Sequence, residues 1–558
     1  MHTTHTSQDN RQARWTREET AILQGQQHDR FPLSQRQIAS ELEVPRSTLQ
    51  YWEQRNARIQ ASPATCAFLS SLEGLAFLHC IQTALHLVFS FQGISGIRLI
   101  CRFMELTGLN AFIGASEGSQ KGVARAMEKA LPLYDQEQRA ALVDPNAAPK
   151  EITISQDETF HPEVCLVAME PVSGFLLLEK YAEDRKASTW TAQMKEATDG
   201  LNVHIVQACG DEGTSLLSHA KHDLMVPHVP ELFHVVQPLV KATARVLAAQ
   251  TQIAAALLKD ATKDLQEQQR RQQEWTQEQH HRPGRPPDFQ GRLHQAQTRQ
   301  NLLAEVHKDA EQHQEQAAEA IRAIGESHHP VDIRTGALRP PEEVKRLLDK
   351  QFTFLKGLGL PEKNWKQVEA SSGLVGGLVA AHSFFWKQVD RRLKTATLTE
   401  TEERTLRQML IPVYYLKKVG RQSGQSSARQ EILKVAEGLE VQWKEAGGQL
   451  EASRLEMLNR LAQDCSELFV RSSSCVEGRN GQLSLRHHGL HQIRPARLRA
   501  LTVVHNYQLR REDGSTAAER FFGKPPEDLF EWLLAHLPYP VRPAQRRPAA
   551  KPVLVGEA

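Results

Sequence analysis

The spacing of apolar residues changes twice along the chain and divides it into helical, mixed and again helical parts. Residues 61–148 carry apolar side chains at helical intervals, and residues from about 235 to 470 carry almost no strand signal. Between them, EITISQDE at 151–158 alternates as a strand does, and VCLVAME and FLLLEKYAED read as two more strands around a PVSG turn. A helical stretch, the strand VHIVQACGDE, a short helix and the strand LMVPH follow. The pattern predicts three hairpin-linked strands, then helix, strand, helix, strand.

The segment PLSQRQIASELEVPRSTLQYWEQR at 32–55 predicts a helix-turn-helix. Ser34 would cap the first helix, and Pro45 would start the second. Residues of the second helix would then face the major groove of DNA, namely Arg46, Ser47, Thr48 and Gln50. Residues 96–128 are a candidate second unit of this type. A small helical hairpin with no role in DNA binding is the alternative.

Two Gln-, Glu- and Ala-rich arms, 238–279 and 289–325, are separated by the helix breaker HRPGRPPD. This arrangement predicts an antiparallel helical hairpin. A coiled coil that dimerises the protein or acts as a spacer is the alternative. The end of the chain, PYPVRPAQRRPAAKP, cannot bury a core, so it is predicted to be disordered.

Composition excludes several classes of protein. The chain has 558 residues, is 40% hydrophobic and is therefore globular, while 68 Lys and Arg against 66 Asp and Glu exclude a globally basic DNA binder. Seven cysteines without a CxxC pair argue against a disulfide framework or a zinc ribbon and fit a reducing cytosol. Polar residues interrupt the most apolar stretch, 66–91, which predicts a buried helix rather than a membrane span.

One local segment is strongly basic although the chain is nearly neutral. Residues 483–511 contain no Asp or Glu. The arginines expected to bind DNA phosphates there are Arg486, Arg494, Arg497 and Arg499. A solvated basic helix face is the alternative.

Two acids occupy strand ends in the mixed part. Asp157 is predicted at the end of the first strand and Asp211 at the end of the fourth. If these strands are neighbours, both carboxylates lie at one edge of the sheet, where open α/β sheets place their sites. Close carboxylates repel each other unless a cation lies between them, and Mg²⁺ prefers oxygen ligands. The alternative is that both are ordinary turn residues.

The strand order, with Asp157 on the first strand and Asp211 on the fourth, resembles the RNase H-like core of DDE-type transposases, including bacterial insertion-sequence transposases. PELFHVVQPL at 230–239 is similar to the segment after the fifth strand in that family, with His234 at the start of the next helix. RSSSCVEGRNGQLSLRHHG at 471–489 resembles the final acidic motif, in which Asn480 follows Glu477 by three residues. The resemblance implies that Asp157, Asp211 and Glu477 are the catalytic and metal-binding triad, with His234 and Asn480 as auxiliary residues.

Glu477 also has a local explanation. Ser474 and Glu477 have the spacing of a helix capping box. Asp464 and Glu467 are competing candidates for the third acid. Both alternatives stay open at the level of sequence.

The fold implied by the resemblance is an α/β RNase H-like core interrupted by a large all-α insertion and preceded by helix-turn-helix regions. The expected domains are a DNA-binding helix-turn-helix at 1–60, a helical region and candidate second DNA-binding unit at 61–148, the first core segment at 149–238, the helical insertion at 239–469, the second core segment with the basic tract at 470–515, and a C-terminal helix and tail at 516–558.

The function implied is Mg²⁺-dependent cleavage and strand transfer of DNA at transposon ends, with Mn²⁺ able to substitute for Mg²⁺. We expect double-stranded DNA, as transposon ends and target, to be the partner of a cytoplasmic, nucleoid-associated homo-oligomer that does not contact a membrane. The alternatives are a catalytically inactive domesticated DNA-binding protein, an RNase H-like nuclease without strand transfer, and a coiled-coil interaction protein.

Overall fold

The structure is a computed structural model. It describes the following residues: 13, 15–21, 34–59, 61–160, 163–211, 213–277, 287–424, 426–447, 450–469, 474–490 and 492–543. The tail PYPVRPAQRRPAAKP was predicted to be disordered, but this is wrong for its first residues, 538–543, which bond to the protein through the carbonyls of Val541 and Pro543 and the buried side chain of Arg542. The rest of the tail and the first ten residues, for which disorder was also predicted, lie outside the described residues.

The N-terminal region is helical, as its apolar spacing predicts. Its helices are α1 (Gln35–Glu41), α2 (Arg46–Arg58), α3 (Pro63–Ser70), α4 (Leu72–Leu85), α5 (Ile97–Leu106) and α6 (Glu117–Leu142). A π-helical segment, His86–Gln92, continues α4.

Helices α1 and α2 have the packing predicted for the helix-turn-helix. Ser34 caps α1 through a capping box, which confirms the predicted start. Leu49 and Trp52 of α2 pack with Ile38 and Ala39 of α1 in one small core. These four apolar residues are buried, so the two helices form a small hydrophobic core of their own.

The mixed region has the predicted order of elements. Its elements are β1 (Lys150–Phe160), β2 (Val164–Glu170), β3 (Phe175–Ala182), α7 (Ala187–Thr198), β4 (Val203–Gly210), α8 (Thr214–Ser218) and β5 (His228–Pro230). They form one mixed sheet in the order β3-β2-β1-β4-β5. Strands β2 and β3 are antiparallel, whereas β4 and β5 are parallel.

Strands β1 and β4 are neighbours, which is the condition that the acid hypothesis required. They run in the same direction. Lys150 at the start of β1 donates its amide to the carbonyl of Asn202, just before β4. At the other end, the carbonyl oxygen of Gln156 lies 2.9 Å from the position that a Cβ on Gly210 would take. Only glycine fits this close approach of the two backbones without a shift.

A long helical region follows the sheet. Its helices are α9 (Leu232–Gln277), α10 (Phe289–Ser327), α11 (Pro341–Lys356), α12 (Glu362–Ser372), α13 (Val375–Thr395), α14 (Glu400–Thr405), α15 (Ile411–Gln422), α16 (Ser426–Gly447) and α17 (Ala452–Glu467).

The predicted antiparallel hairpin is confirmed in α9 and α10. The rings of Trp275 and Phe289 lie 5.9 Å apart near the connection, and Thr251 donates a hydrogen bond to Gln314 farther away. Helix α9 already begins at Leu232, so the expected domain boundary between residues 238 and 239 falls inside it.

The C-terminal region is helical again. Its helices are α18 (Ser474–Leu490), α19 (Pro495–Tyr507), α20 (Ala517–Phe522) and α21 (Leu529–His536). With these helices the protein is mostly helical around one mixed five-stranded sheet, which is compatible with the predicted α/β core and helical regions.

The chain folds into two compact units. The first contains the described residues of Met1–Ile152, Asp157–His204 and Cys475–Ala558, and the second those of Thr153–Gln156 and Ile205–Ser474. The first unit has a core around buried residues of its N-terminal helices, including Leu75, Leu78, Met104 and Ile113. The second has a core in its helical region, including Val235, Leu348, Phe352 and Leu378.

One segment in the described residues of the chain, Leu72–Gln92, is long and apolar enough to cross a membrane by length and composition. Of its most apolar window, 61% is buried within the protein. That burial agrees with the prediction of a core helix.

Candidate active site and nucleic-acid interface

Asp157 lies toward the end of β1 and meets a residue from the C-terminal region of the chain. Its Oδ2 accepts a hydrogen bond of 2.6 Å from Nδ2 of Asn480 on α18. Its Oδ1 accepts one of 2.8 Å from the amide of Glu158. The structure thus brings together a predicted acid and a predicted auxiliary residue. The strand continues to Phe160, so Asp157 lies within β1 and not at its end as the sequence pattern indicated.

A buried ion pair fixes α18 beside β3. Arg479, next to Asn480, donates to both carboxylate oxygens of Glu179, with Nε–Oε1 and Nη2–Oε2 distances of 2.6 and 2.7 Å. Thr502 on α19 donates a third hydrogen bond to Glu179. Burial alone would raise the pKa of Glu179, but the guanidinium of Arg479 lowers it below its ordinary value. Because the pair is bidentate, it sets the position of α18 and therefore of Asn480.

The side-chain amide of Asn480 also offers an oxygen to a ligand. Its Oδ1 is buried and has no hydrogen-bond partner among the described residues. An amide oxygen beside a carboxylate is the kind of ligand pair that hard cations such as Mg²⁺ prefer, so these residues fit such an ion by their chemistry. No group of three or more His, Cys, Asp or Glu within the described ranges is close enough to hold a metal ion.

Glu477 lies in the first turn of α18 and is exposed to solvent. It precedes Asn480 by three residues, so the two side chains leave the helix about 60° apart, one turn after the other. The capping-box interpretation depends on the side chain of Ser474, which lies outside the described side chains. Of the competing acids, Glu467 forms an ion pair of 3.2 Å with Lys418, and burial raises the pKa of Asp464.

Asp211 follows the last residue of β4, as predicted. Its Oδ1 accepts a hydrogen bond of 2.9 Å from the amide of Gly213, which fixes the carboxylate in a tight turn. Glu212 lies outside the described residues.

Sequence reasoning missed a further acid at the same end of the sheet. Gly210 of β4 pairs with Pro230 of β5, so Asp211 and Glu231 each follow one member of this pair. Glu231 is almost fully buried, and its Oε2 lies 3.2 Å from Nε2 of the partly exposed His234. The sequence pattern gave no such signal, because the predicted strand LMVPH ends at His228, whereas β5 ends at Pro230, directly before Glu231.

The predicted DNA-reading residues differ in their accessibility. Arg46 and Ser47 are exposed at the start of α2, and Thr48 and Gln50 are partly buried. The side-chain amide of Gln50 donates to Gln35 of α1 at 3.2 Å. Arg46 and Ser47 are therefore the only two of these four residues that are fully exposed to solvent.

Two of the four predicted phosphate-binding arginines are structural residues. Arg486 donates to the carbonyls of Phe91, Gln92 and Gly93, at the end of the π-helical segment. Carbonyls at a helix end have no partners within the helix, so Arg486 supplies the missing donors. The composition of residues 483–511 does not indicate that their arginines bond to these carbonyls.

Arg497 is buried in the same way. Its Nη2 donates to Ser90, including a hydrogen bond of 2.7 Å to Oγ, and its guanidinium lies over the ring of Phe91. Burial lowers the pKa of Arg497 to about 10 and also lowers that of Arg486. The prediction that these two arginines face phosphate is corrected, because their donors serve the protein itself. Arg494 and Arg499 are exposed, and Arg494 lies 3.2 Å from Glu128.

Comparison with known proteins adds one similarity. Residues 406–549 match DUF6399, a family of unknown function. The matched segment includes Glu477, Asn480 and the basic tract. No curated protein matches the chain.

Proposed function

We propose that the protein is a DDE-type transposase that cleaves and joins DNA at transposon ends, and that its sheet is an RNase H-like catalytic core. The hydrogen bond between Asn480 and Asp157 carries this proposal. It links the helix that carries the predicted third acid to the strand that carries the first.

The sheet supports the same proposal. Three hairpin-linked strands precede β4 and β5, and β1 is the neighbour of β4. This is the connectivity on which the family resemblance rests. Asp157 near the end of β1 and Asp211 after β4 occupy the positions at which open α/β sheets bind their ligands.

Each residue has a role in the proposed chemistry. Asp157, Asp211 and Glu477 do not form a metal-binding group in this structure, so they would have to come together to hold Mg²⁺, or Mn²⁺ in its place. The ion would supply the charge stabilisation that phosphodiester cleavage requires. The amide of Asn480 holds the carboxylate of Asp157 in one orientation. The pair of Arg479 and Glu179 holds the helix that carries Glu477. Such positioning matters because displacement at phosphorus depends on alignment of the attacking and leaving oxygens.

The proposed partner is double-stranded DNA, first as transposon ends and then as target. Arg46 and Ser47 would enter the major groove from α2, and Arg494 and Arg499 would bind phosphates. Residues 239–469 would be an inserted helical domain. We propose a homo-oligomer in the cytoplasm, associated with the nucleoid.

The test is cleavage of labelled DNA that carries the sequences flanking the gene, with Mg²⁺ or Mn²⁺ present. Each of Asp157→Asn, Asp211→Asn and Glu477→Gln should abolish cleavage and leave DNA binding in place. Glu163→Gln is the matched control, because it removes an exposed carboxylate from the loop after β1. Full activity in Asp157→Asn or Asp211→Asn would refute the proposed mechanism.

The assay also separates the alternative functions. Specific DNA binding without cleavage by the unmodified protein would identify a domesticated binding protein. Cleavage without joining of the new 3′ end to a target would identify a nuclease. Full activity in Glu477→Gln alone would move the third acid to another residue.

A further inference from the structure

The last described residues of the chain lie against its first helices. We call residues 537–543 the C-terminal strap. The carbonyl of Val541 accepts a hydrogen bond of 2.7 Å from the amide of Gly114, and the carbonyl of Pro543 accepts one of 3.1 Å from the hydroxyl of Tyr51. Tyr51 belongs to α2, the proposed recognition helix, and is 492 residues away along the chain. The strap therefore contacts the helix-turn-helix directly.

Arg542 is the main anchor of the strap. Its Nε lies 2.9 Å from Oε2 of Glu18, and both side chains are almost completely buried. Its guanidinium lies 3.2 Å from the ring centre of Trp15, and its Nη1 donates to the carbonyl of Phe112. A buried charge that loses its partner is strongly destabilising, so this contact is hard to open while both partners are present.

The helix that Arg542 holds connects two packing clusters. Residues 15–21 are helical. At one end Trp15 packs with Leu75 and Met104 in the core of the N-terminal helices, and at the other Ala21 packs with Trp52 of the helix-turn-helix. Glu18, between them, is the residue that Arg542 pairs with. By fixing this helix, the strap fixes the helix-turn-helix on the helices that follow it.

We propose that Arg542 is a positioning residue for DNA recognition, and that both ends of the chain form one recognition module. The DNA-binding aspect of this inference rests on the proposed function. The guanidinium of Arg542 is buried, so it acts on DNA through the position of α2 and makes no phosphate contact. A chain that ends before residue 537 has the helix-turn-helix without its anchor. Specific DNA binding then needs residues 537–543 as well as the helix-turn-helix.

Hydrogen exchange on the full chain tests the structural step without DNA. Arg542→Ala should raise amide exchange at least tenfold in residues 15–21 and 46–54, while β1 to β3 keep the exchange of the unmodified protein. The matched control is Arg429→Ala, which removes an exposed arginine of α16 and should change neither segment. Unchanged exchange at 15–21 in Arg542→Ala would overturn the proposal.

A milder variant covers the case in which Arg542→Ala does not fold. Tyr51→Phe removes one hydroxyl that bonds the strap, so exchange should rise two- to fivefold in α2. No rise in α2 would overturn the proposal in that case.

DNA binding tests the positioning step. On DNA from the gene flanks, Arg542→Ala should lower affinity at least tenfold without changing the slope of log K against log salt. A slope reduced by about 0.9 would show that Arg542 itself contacts phosphate and would overturn the positioning role. If the unmodified protein does not prefer the flanking DNA to random DNA, the proposed function fails in its claim of DNA recognition, and the exchange result still decides the role of the strap.

Discussion

Asn480 donates a hydrogen bond of 2.6 Å to Asp157 across 323 positions of the chain. The contact joins the strand that carries Asp157 to the helix that carries Glu477, another of the predicted acids. Asp157 is therefore more than a local turn residue, because its carboxylate is bound from another part of the chain. Because this hydrogen bond depends on the side chain of Asn480, its role can be tested without changing any of the three acids.

We predict that Asn480→Ala lowers DNA cleavage by about 10–100-fold, the usual effect of removing a residue that orients a metal ligand. DNA affinity should stay the same, because Asn480 faces Asp157 and not a proposed DNA surface. Rates at saturating DNA provide the measurement, with Leu485→Ala, at an exposed position of the same helix, as control. Equal rates for Asn480→Ala and the control would mean that the hydrogen bond has no catalytic role.

The pair of Arg479 and Glu179 predicts a stability effect. Arg479→Met leaves a buried carboxylate without its counter-charge, so we expect a loss of about 3–5 kcal/mol in the free energy of unfolding. Adding Glu179→Leu should recover some of this loss, because an apolar pair needs no counter-charge. Urea unfolding measures both variants, and Glu163→Gln should stay within about 0.5 kcal/mol of the unmodified protein. A double variant less stable than Arg479→Met would contradict this account.

Substitutions in the basic tract should have two different effects, one at the exposed pair of arginines and another at the buried pair. Alanine at the exposed Arg494 and Arg499 should reduce the salt slope of DNA binding by roughly 0.9 for each phosphate that the variant no longer binds. Alanine at the buried Arg486 or Arg497 should instead lower the melting temperature, since each leaves carbonyl acceptors without donors. The opposite assignment, with a slope change only in the buried pair, would mean that the tract rearranges to bind DNA.

His86 predicts a dependence of stability on pH. It is fully buried in the π-helical segment and shares a hydrogen bond of 2.8 Å with Gln120. Burial lowers the pKa of His86 from 6.5 to about 4, so the unfolded chain takes up a proton first as the pH falls. The contribution of His86 is therefore complete above pH 6.5 and is lost progressively toward pH 4.

A glutamine at position 86 cannot take up a proton. Between pH 7 and pH 4.5, His86→Gln should therefore lose about 2–3 kcal/mol less of its free energy of unfolding than the unmodified protein loses. Chemical unfolding at the two pH values measures the difference. His222→Gln, at an exposed histidine, is the control. If His86→Gln and His222→Gln lose equal stability on acidification, burial of His86 does not produce the effect.

Local patterns in the sequence predicted much of the fold, because strand and helix periods depend on nearby residues. The order of the five strands along the chain, the cap at Ser34 and the hairpin of α9 and α10 follow from such patterns. Contacts over long distances in sequence could not be predicted in this way. The absence of acids from residues 483–511 did not indicate that Arg486 and Arg497 bond to carbonyls of residues 90–93. Similarly, no pattern in the sequence predicted the contact between Tyr51 and Pro543.

In the candidate site, too, features set by local patterns were predicted and contacts between distant residues were not. Asp211 after β4 and Asp157 on β1 were predicted from strand patterns, while Asn480 came only from the family resemblance. Glu231 was missed because the predicted fifth strand, LMVPH, ends at His228, whereas β5 continues to Pro230. The importance of Arg479 depends on Glu179, an acid in a strand that reads as apolar, and only the folded chain brings the two together.

The joining reaction tests the central claim most directly. Labelled DNA with the flanking sequence and a free 3′-hydroxyl is incubated with the protein, Mg²⁺ and a supercoiled plasmid. A transposase should produce a covalent joint between the labelled end and the plasmid, and a 3′-dideoxy end should prevent it. Asp157→Asn should form no joint, while Glu163→Gln should form as much as the unmodified protein. Absence of joints with the unmodified protein, or equal amounts with Asp157→Asn, would contradict the account.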